Sequence, residues 1–409
     1  MKLKTMLLCI ALSTGLCNCF AEPVRQLVKE NFKFAEKQLT TALQAVEKAK
    51  AETPTKGGLN YISPVTINKD GSLRIAGYKD WTCGFFPGSL WYLYENTGKK
   101  KWMKQAKAFT EEMEPCQYNK GTHDLGFLMY CSYGNAYRLT GKPEYRDVLI
   151  QSARSLMTRF NPTVGCIRSW DHNADKWDFP VIIDNMMNLE LLFWAAKTTG
   201  DKNFYNVAVS HANTTLKNHF RADYSTYHVV DYNPATGAAQ KWQTHQGYAD
   251  SSSWARGQAW GLYGFTLCYR ETGDTKYLEQ AKNIARFIFN NPNMTTDLIP
   301  YWDYDAPKTA TTPRDASAAM VTASALYELS LYDKASAAQY VKWADTILEN
   351  ATAHYRSPLG KNYGFLLLHS TGNYPAHNDV DVPLNYADYY FLEALTRRAR
   401  LNKGENIIE

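Results

Sequence analysis

Four times along the chain, a segment that is apolar or aromatic on every side runs into Thr-Gly and then into an amphipathic helix. Gly88 to Asn96 turns at Thr97-Gly98 into Lys101 to Met113. Leu125 to Leu139 turns at Thr140-Gly141 into Tyr145 to Met157. Asn185 to Lys197 turns at Thr199-Gly200 into Phe204 to His219, and Ala255 to Arg270 turns at Thr272-Gly273 into Tyr277 to Phe289. Ala316 to Leu331 makes a fifth pair, turning near Asp333 into Ala337 to Asn350. A helix with no polar face is a buried helix. Glycine after it is the expected left-handed cap. The chain opens on an unpaired amphipathic helix, Pro23 to Ala51, and closes on an unpaired buried-type helix around Tyr386 to Leu395. These two complete each other if the array closes on itself instead of stacking openly. The pattern therefore predicts an all-α fold, a six-hairpin toroid or (α/α)6 barrel, as one domain over residues 22–409. No parallel-sheet pattern is legible.

The topology makes all inner helices run the same way, so the loops entering them share one end. Those loops are the long ones and carry the acids, histidines and tryptophans. Functional groups concentrate in loops held by a rigid scaffold.

Met1-Lys2-Leu3-Lys4 and the apolar run Met6 to Leu16 read as a secretory signal ending after Ala21. The run is too short to span a bilayer, and the expected location is the periplasm. Cys17 and Cys19 raise a lipoprotein anchor, but Thr14-Gly15-Leu16 is a poor lipobox. Net charge is +5, with no long Lys/Arg run, which argues against nucleic acid. Beyond the leader the cysteines are Cys83, Cys116, Cys131, Cys166 and Cys268, scattered and without a CxxC pair. Neither a disulfide framework nor a zinc site is expected. No cofactor is implied.

Asp124 and Asp184 each stand at the entry of an inner helix, one unit apart. Paired carboxylates across a sugar-sized cleft are the equipment of glycoside hydrolysis. The plain alternative is that each is a helix N-cap. Arg256 and Trp260 lie four apart and share a helix face; the alternative for Arg256 is an internal salt bridge. His123, His228 and His245 sit in or near mouth loops without metal-ligand spacing. The pairs Asp303/Asp305 and Asp379/Asp381 read as loop caps rather than calcium ligands.

Asp80-Trp81-Thr82-x-Gly84-Phe85-Phe86-Pro87-Gly88, His123-Asp124-Leu125-Gly126-Phe127, Asp184-Asn185-Met186-Met187-Asn188, Ser252 to Trp260 and Asp381 to Tyr390 together resemble the unsaturated glucuronyl hydrolases, glycoside hydrolase family 88. The resemblance implies an (α/α)6 barrel acting on unsaturated oligosaccharides left by polysaccharide lyases, glycosaminoglycan fragments in particular. The reaction it implies is hydration of the C4=C5 double bond in the terminal uronic acid. It implies Asp184 as general acid/base with Asp124 as partner, and His228, His245 and Gln246 placing water or sugar. It further implies Arg256 on the uronate carboxylate, Trp81, Trp170 and Trp260 walling the ring, and His123 touching substrate. Some members carry a Ser-x-x-Ser-x-Lys stretch that contacts a sulfated second sugar. Here the region reads His369-Ser370-Thr371-Gly372-Asn373-Tyr374-Pro375, with no lysine. Two alternatives stand beside this reading: an unsaturated rhamnogalacturonyl hydrolase acting on pectin fragments, and a non-catalytic sugar-binding toroid.

Overall fold

The computed structural model describes residues 8–52 and 61–408, with side chains from 24 onward save that of 61. The expected export signal, 1–21, lies outside the residues whose side chains are described. The outer helix α1 (Leu8–Glu52) is followed by inner α2 (Phe85–Thr97) and outer α3 (Lys100–Glu111). The second inner element is a π-helical stretch, Gly126–Gly134, continued by α4 (Asn135–Thr140); its outer partner is α5 (Pro143–Met157). The third is a 3-10 turn, Ile183–Asn188, continued by α6 (Leu189–Thr199) and paired with α7 (Lys202–Asn218). Then come α8 (Ala255–Thr272) with α9 (Thr275–Asn290), α10 (Ala316–Tyr332) with α11 (Ala337–Asn350), and α12 (Asn385–Lys403). Each inner element packs on the next, and α12 packs on both α2 and α1. The ring is closed, as the unpaired terminal helices require.

The Thr-Gly turns have one mechanism repeated four times. Thr97, Thr140, Thr199 and Thr272 each donate their hydroxyl to the carbonyl four residues back, at 2.6–2.7 Å. Each hydroxyl also accepts the amide two residues on. The following glycines adopt φ between 65° and 75° and close the helix with their own amides. A Cβ at Gly200 would meet no atom within 4 Å, so the position is conformational rather than steric. Gly200→Ala is expected to cost about 1 kcal/mol, the left-handed penalty for a residue with a Cβ, measured by urea unfolding.

The inner elements carrying Asp124 and Asp184 begin as π and 3-10 turns instead of the plain α-helices expected from the pattern. They are stitched to each other. The Phe127 amide donates to Asn188 Oδ1 at 3.0 Å rather than to a carbonyl in its own turn. Gly126 lies so close that a Cβ there would sit 2.6 Å from Asn188 Cα. Short antiparallel sheets also appear that the sequence did not announce. They are β1 (Tyr61–Ile67) with β2 (Leu73–Gly77), β3 (Phe160–Asn161) with β4 (Cys166–Ile167), and β5 (Pro180–Ile182), β6 (Val229–Tyr232) and β7 (Ala239–Gln243) in the order β5-β6-β7.

Deeper along the axis the ring is filled by ion pairs rather than by aliphatic packing. Arg270 meets Glu328 at 2.8 Å and also holds Glu190, and Arg397 meets Glu328 at 3.1 Å. Glu393 accepts the Tyr92 and Tyr263 hydroxyls at 3.0 Å each. This network borders a cavity of about 710 Å³ whose lining extends to Lys197, Tyr332 and Ile408, at the end opposite the long loops.

Candidate active site

The sheet β5-β6-β7 aims three parts of the chain at one point. Ile182 pairs with Val229, and Val229 with Gln243. Asp184 follows β5 by two residues, His228 immediately precedes β6, and His245 and Gln246 follow β7. Asp184 is 8% exposed. Its turn has Ile182 at the N-cap position and no side-chain cap, and its Oδ2 has no hydrogen-bond partner. The capping alternative therefore does not describe it. Burial pushes its pKa up to about 6; the charge of Asp124 adds to this, while His123 and Arg256 pull the other way.

Asp124 is held differently. Thr122 donates its hydroxyl to Oδ2 at 2.6 Å, and His123 Nε2 lies 3.1 Å from Oδ1. Burial raises its pKa, but the His123 ring, the Thr122 hydroxyl and the Arg159 charge outweigh burial and leave it below the ordinary value. Two carboxyls with environments that push their pKa values apart make an acid and a base at the same pH.

His228 is 2% exposed, and its Nδ1 accepts the amides of His245 and Gln246 at 3.1 Å each. Burial holds the ring neutral, so its one proton is on Nε2. That atom lies 3.8 Å from Asp184 Oδ2, beyond hydrogen-bond reach, and both atoms are buried without partners. A single oxygen set to one side of this line reaches both. Around them stand aromatic rings. Trp170 stacks on His172 at 5.0 Å and lies 5.5 Å from Trp177 and 5.6 Å from His245. Trp177 Nε1 is fixed by Gln243 at 2.8 Å. Half-buried Trp81 leans on Phe127 and Tyr386, at 5.4 and 5.1 Å. Buried His123 donates its amide to Ser169 O, one residue before Trp170.

Two of the expected residues lie deeper in the protein than the sequence reading placed them. Arg256 is 1% exposed, and its terminal nitrogens are spent inside the protein. Nη1 donates to Asp315 Oδ2 and to Thr371 O, and Nη2 to Gly372 O, all at 2.6 Å. The internal salt bridge is the observed state, and Nε is buried without a partner. Trp260 is fully buried, packed on Phe127 at 5.2 Å and Tyr390 at 5.5 Å. It is one turn further down α8 than Arg256, about 6 Å deeper, and so lies under the site rather than along a cleft wall.

The Asp pairs do serve the loops. Asp303 accepts the Tyr248 amide and the Ser252 hydroxyl, Asp305 the Ser253 amide, Asp379 pairs with Arg74 and Asp381 with His369. The sequence reading missed Asp315 and the ties that bind the strap 369–382 to the site. Gln246 Nε2 donates to Gly372 O of that strap at 2.9 Å. Asp315, directly before a buried helix, carried a capping signal; its partnership with Arg256 had none.

The assembled site brings together one buried carboxyl with a raised pKa, a second held ionised, a neutral imidazole N–H and aromatic rings. It suits proton transfer to a bound sugar. The sequence profile described as Glycosyl Hydrolase Family 88 matches residues 66–267. The unsaturated glucuronyl hydrolase of Formosa agariphila is 48% identical over 325 residues, 79% of this chain and 81% of that protein. The unsaturated chondroitin disaccharide hydrolase of Streptococcus agalactiae is 32% identical over 393 residues, 92% of this chain and 97% of that one. Among solved structures, an unsaturated glucuronyl hydrolase specific for heparin superposes with a TM-score of 0.86 at 48% identity, covering 92% of this chain and 98% of its own. The unsaturated glucuronyl hydrolase of Bacillus sp. GL1 superposes at 0.80 with 29% identity, over 90% of this chain and 97% of its own.

Proposed function

The chain belongs to glycoside hydrolase family 88 as an unsaturated glucuronyl hydrolase, and we propose that it acts on heparin-type disaccharides by hydrating the C4=C5 bond, with Asp184 as the acid. Support for the acid is the buried Asp184 Oδ2 facing the His228 N–H with no partner of its own. Support for the substrate is the 48% identity to the heparin-specific enzyme, against 30% for the structure from Streptococcus agalactiae.

In this reading, protonated Asp184 gives its proton to C4 and the π electrons form the new C–H bond. The positive charge left at C5 is shared with the ring oxygen. Water adds at C5 and returns a proton to the Asp184 carboxylate, so the acid is regenerated. The resulting hemiketal opens: the C5–ring oxygen bond breaks to leave a ketone at C5, and C1 releases the next sugar. One water is consumed and no bond is attacked at the anomeric carbon. His228 Nε2–H, with Gln246 and His245 beside it, orients the water or a ring hydroxyl. Asp124, held ionised by Thr122 and His123, adds like-charge repulsion to the burial that keeps Asp184 protonated. Trp81 and Trp170 border the sugar. The leader at 1–21 supports export to the periplasm, checked by whether the mature protein starts at Glu22.

The test is loss of the ultraviolet absorbance of the conjugated double bond in unsaturated disaccharides from heparin, chondroitin, hyaluronan and pectin. The expected result is that kcat/KM for the heparin disaccharide is at least tenfold above the others. A preference for the chondroitin product overturns the substrate assignment; a preference for the pectin product moves the activity to rhamnogalacturonyl hydrolysis.

A further inference from the structure

Asp315 is wholly buried at the start of α10, and its two oxygens do different work. Oδ1 accepts the Ser317 and Ala318 amides at 3.1 and 3.3 Å, and the Ser317 hydroxyl, which caps the helix. Oδ2 accepts Arg256 Nη1 at 2.6 Å. The guanidinium lies over Trp254, 4.4 Å from its ring centre, and holds the carbonyls of Thr371 and Gly372. One buried ion pair thus joins α8, α10 and the strap. The strap itself is strained: His369, His377, Asp379 and Asp381 all adopt φ between 51° and 62°. Non-glycine residues persist there only when the surroundings impose it. The imposed ties are Arg256, Gln246, the Arg74–Asp379 pair at 2.8 Å and the Trp302–Tyr374 stack at 4.4 Å.

We propose that Asp315 is a positioning residue for the hydration reaction: it fixes Arg256 between Asp184 and the strap carbonyls, and so sets both the charge Asp184 meets and the closure of the strap. The inference rests on the reading of Asp184 as the acid. Asp184 faces His123 and Asp124 from the turn before the π-helical stretch, His228 from the start of β6, and Arg256 from α8. Arg256 faces Asp315 from α10 and Tyr386 from α12.

The sign follows from this arrangement. Asp315→Asn keeps an oxygen for the helix cap and removes the negative charge behind Arg256. The positive charge of Arg256 then acts on Asp184 with less compensation and favours its anion. Asp184 loses its proton at lower pH, and the alkaline limb of kcat/KM moves down. The expected shift is about half to one pH unit, the scale of removing one charge that acts on Asp184 through an intervening guanidinium. KM rises several-fold because the strap has lost its anchor.

The experiment measures kcat/KM and KM against pH on an unsaturated disaccharide for the full-length enzyme and for Asp315→Asn, Arg256→Lys and Asp184→Asn. Arg256→Lys keeps the charge but lacks the planar fork that reaches Asp315 and both carbonyls at once. Its limb is expected to stay in place while KM rises. An Asp315→Asn limb that stays put or moves up, with Asp184→Asn inactive, overturns the inference alone. An active Asp184→Asn overturns the reading beneath it. If Asp315→Asn does not fold, an unchanged KM in Arg256→Lys overturns the latch.

Discussion

Asp184→Asn is expected to lower kcat about a thousandfold and, above pH 6, to make the protein more stable than the native chain. The first effect is the loss of a positioned proton donor, which contributes roughly 10²–10⁴ in rate. The second follows from linkage. The folded-state pKa of Asp184 is raised to about 6 by burial, against an ordinary value of 3.8. The unfavourable ionisation is absent below about pH 4, grows as pH rises, and is complete above about 6. Roughly two pH units correspond to about 3 kcal/mol, an upper figure because the asparagine amide also meets a pocket with few partners. Urea unfolding at pH 4.5 and pH 8 measures it. The variant's advantage should be present in full at pH 8 and reduced to about a third at pH 4.5. An active variant, or one less stable at pH 8, contradicts the assignment. Such a site gives up stability so that its acid stays protonated.

The second large effect is on pH dependence. kcat/KM reports ionisations of the free enzyme. An acid that must start protonated gives an alkaline limb near pH 6, with activity falling tenfold per pH unit above it. Asp124 must be ionised and lies below its ordinary value, so the acid limb falls below about pH 4. The optimum therefore lies between pH 4 and 6. Asp124→Asn removes the like charge beside Asp184, moves the alkaline limb to lower pH and reduces the rate about a hundredfold. A profile flat from pH 6 to 8, or an Asp124→Asn limb that moves up, excludes this pairing.

The ring was legible because its punctuation is local. Thr97, Thr140, Thr199 and Thr272 each make their bonds within six residues of chain, so the signal repeats wherever the turn does. The entry positions of Asp124 and Asp184 followed from counting helices. What stayed illegible depends on contacts between distant segments. The π-helical stretch from Gly126 packs on Asn188, which lies 61 residues beyond Phe127 and takes its first-turn amide. Strands of three to five residues such as β5 and β7 carry too little alternation to be read, yet their register brings His228, His245 and Asp184 together. Arg256 and Trp260 share a helix face as expected, but the face says nothing about depth. The partner of Arg256 is 59 residues away, and Trp260 sits a turn too low to meet solvent.

The most direct measurement of the central claim is turnover of an unsaturated heparin disaccharide in D₂O, followed by NMR. Hydration across C4=C5 predicts one deuterium at C4 of the released uronate with a single configuration, appearing in step with the loss of ultraviolet absorbance. A released uronate that keeps its C4=C5 bond, with no deuterium at C4, would mean attack at the anomeric carbon and would contradict the assignment of Asp184.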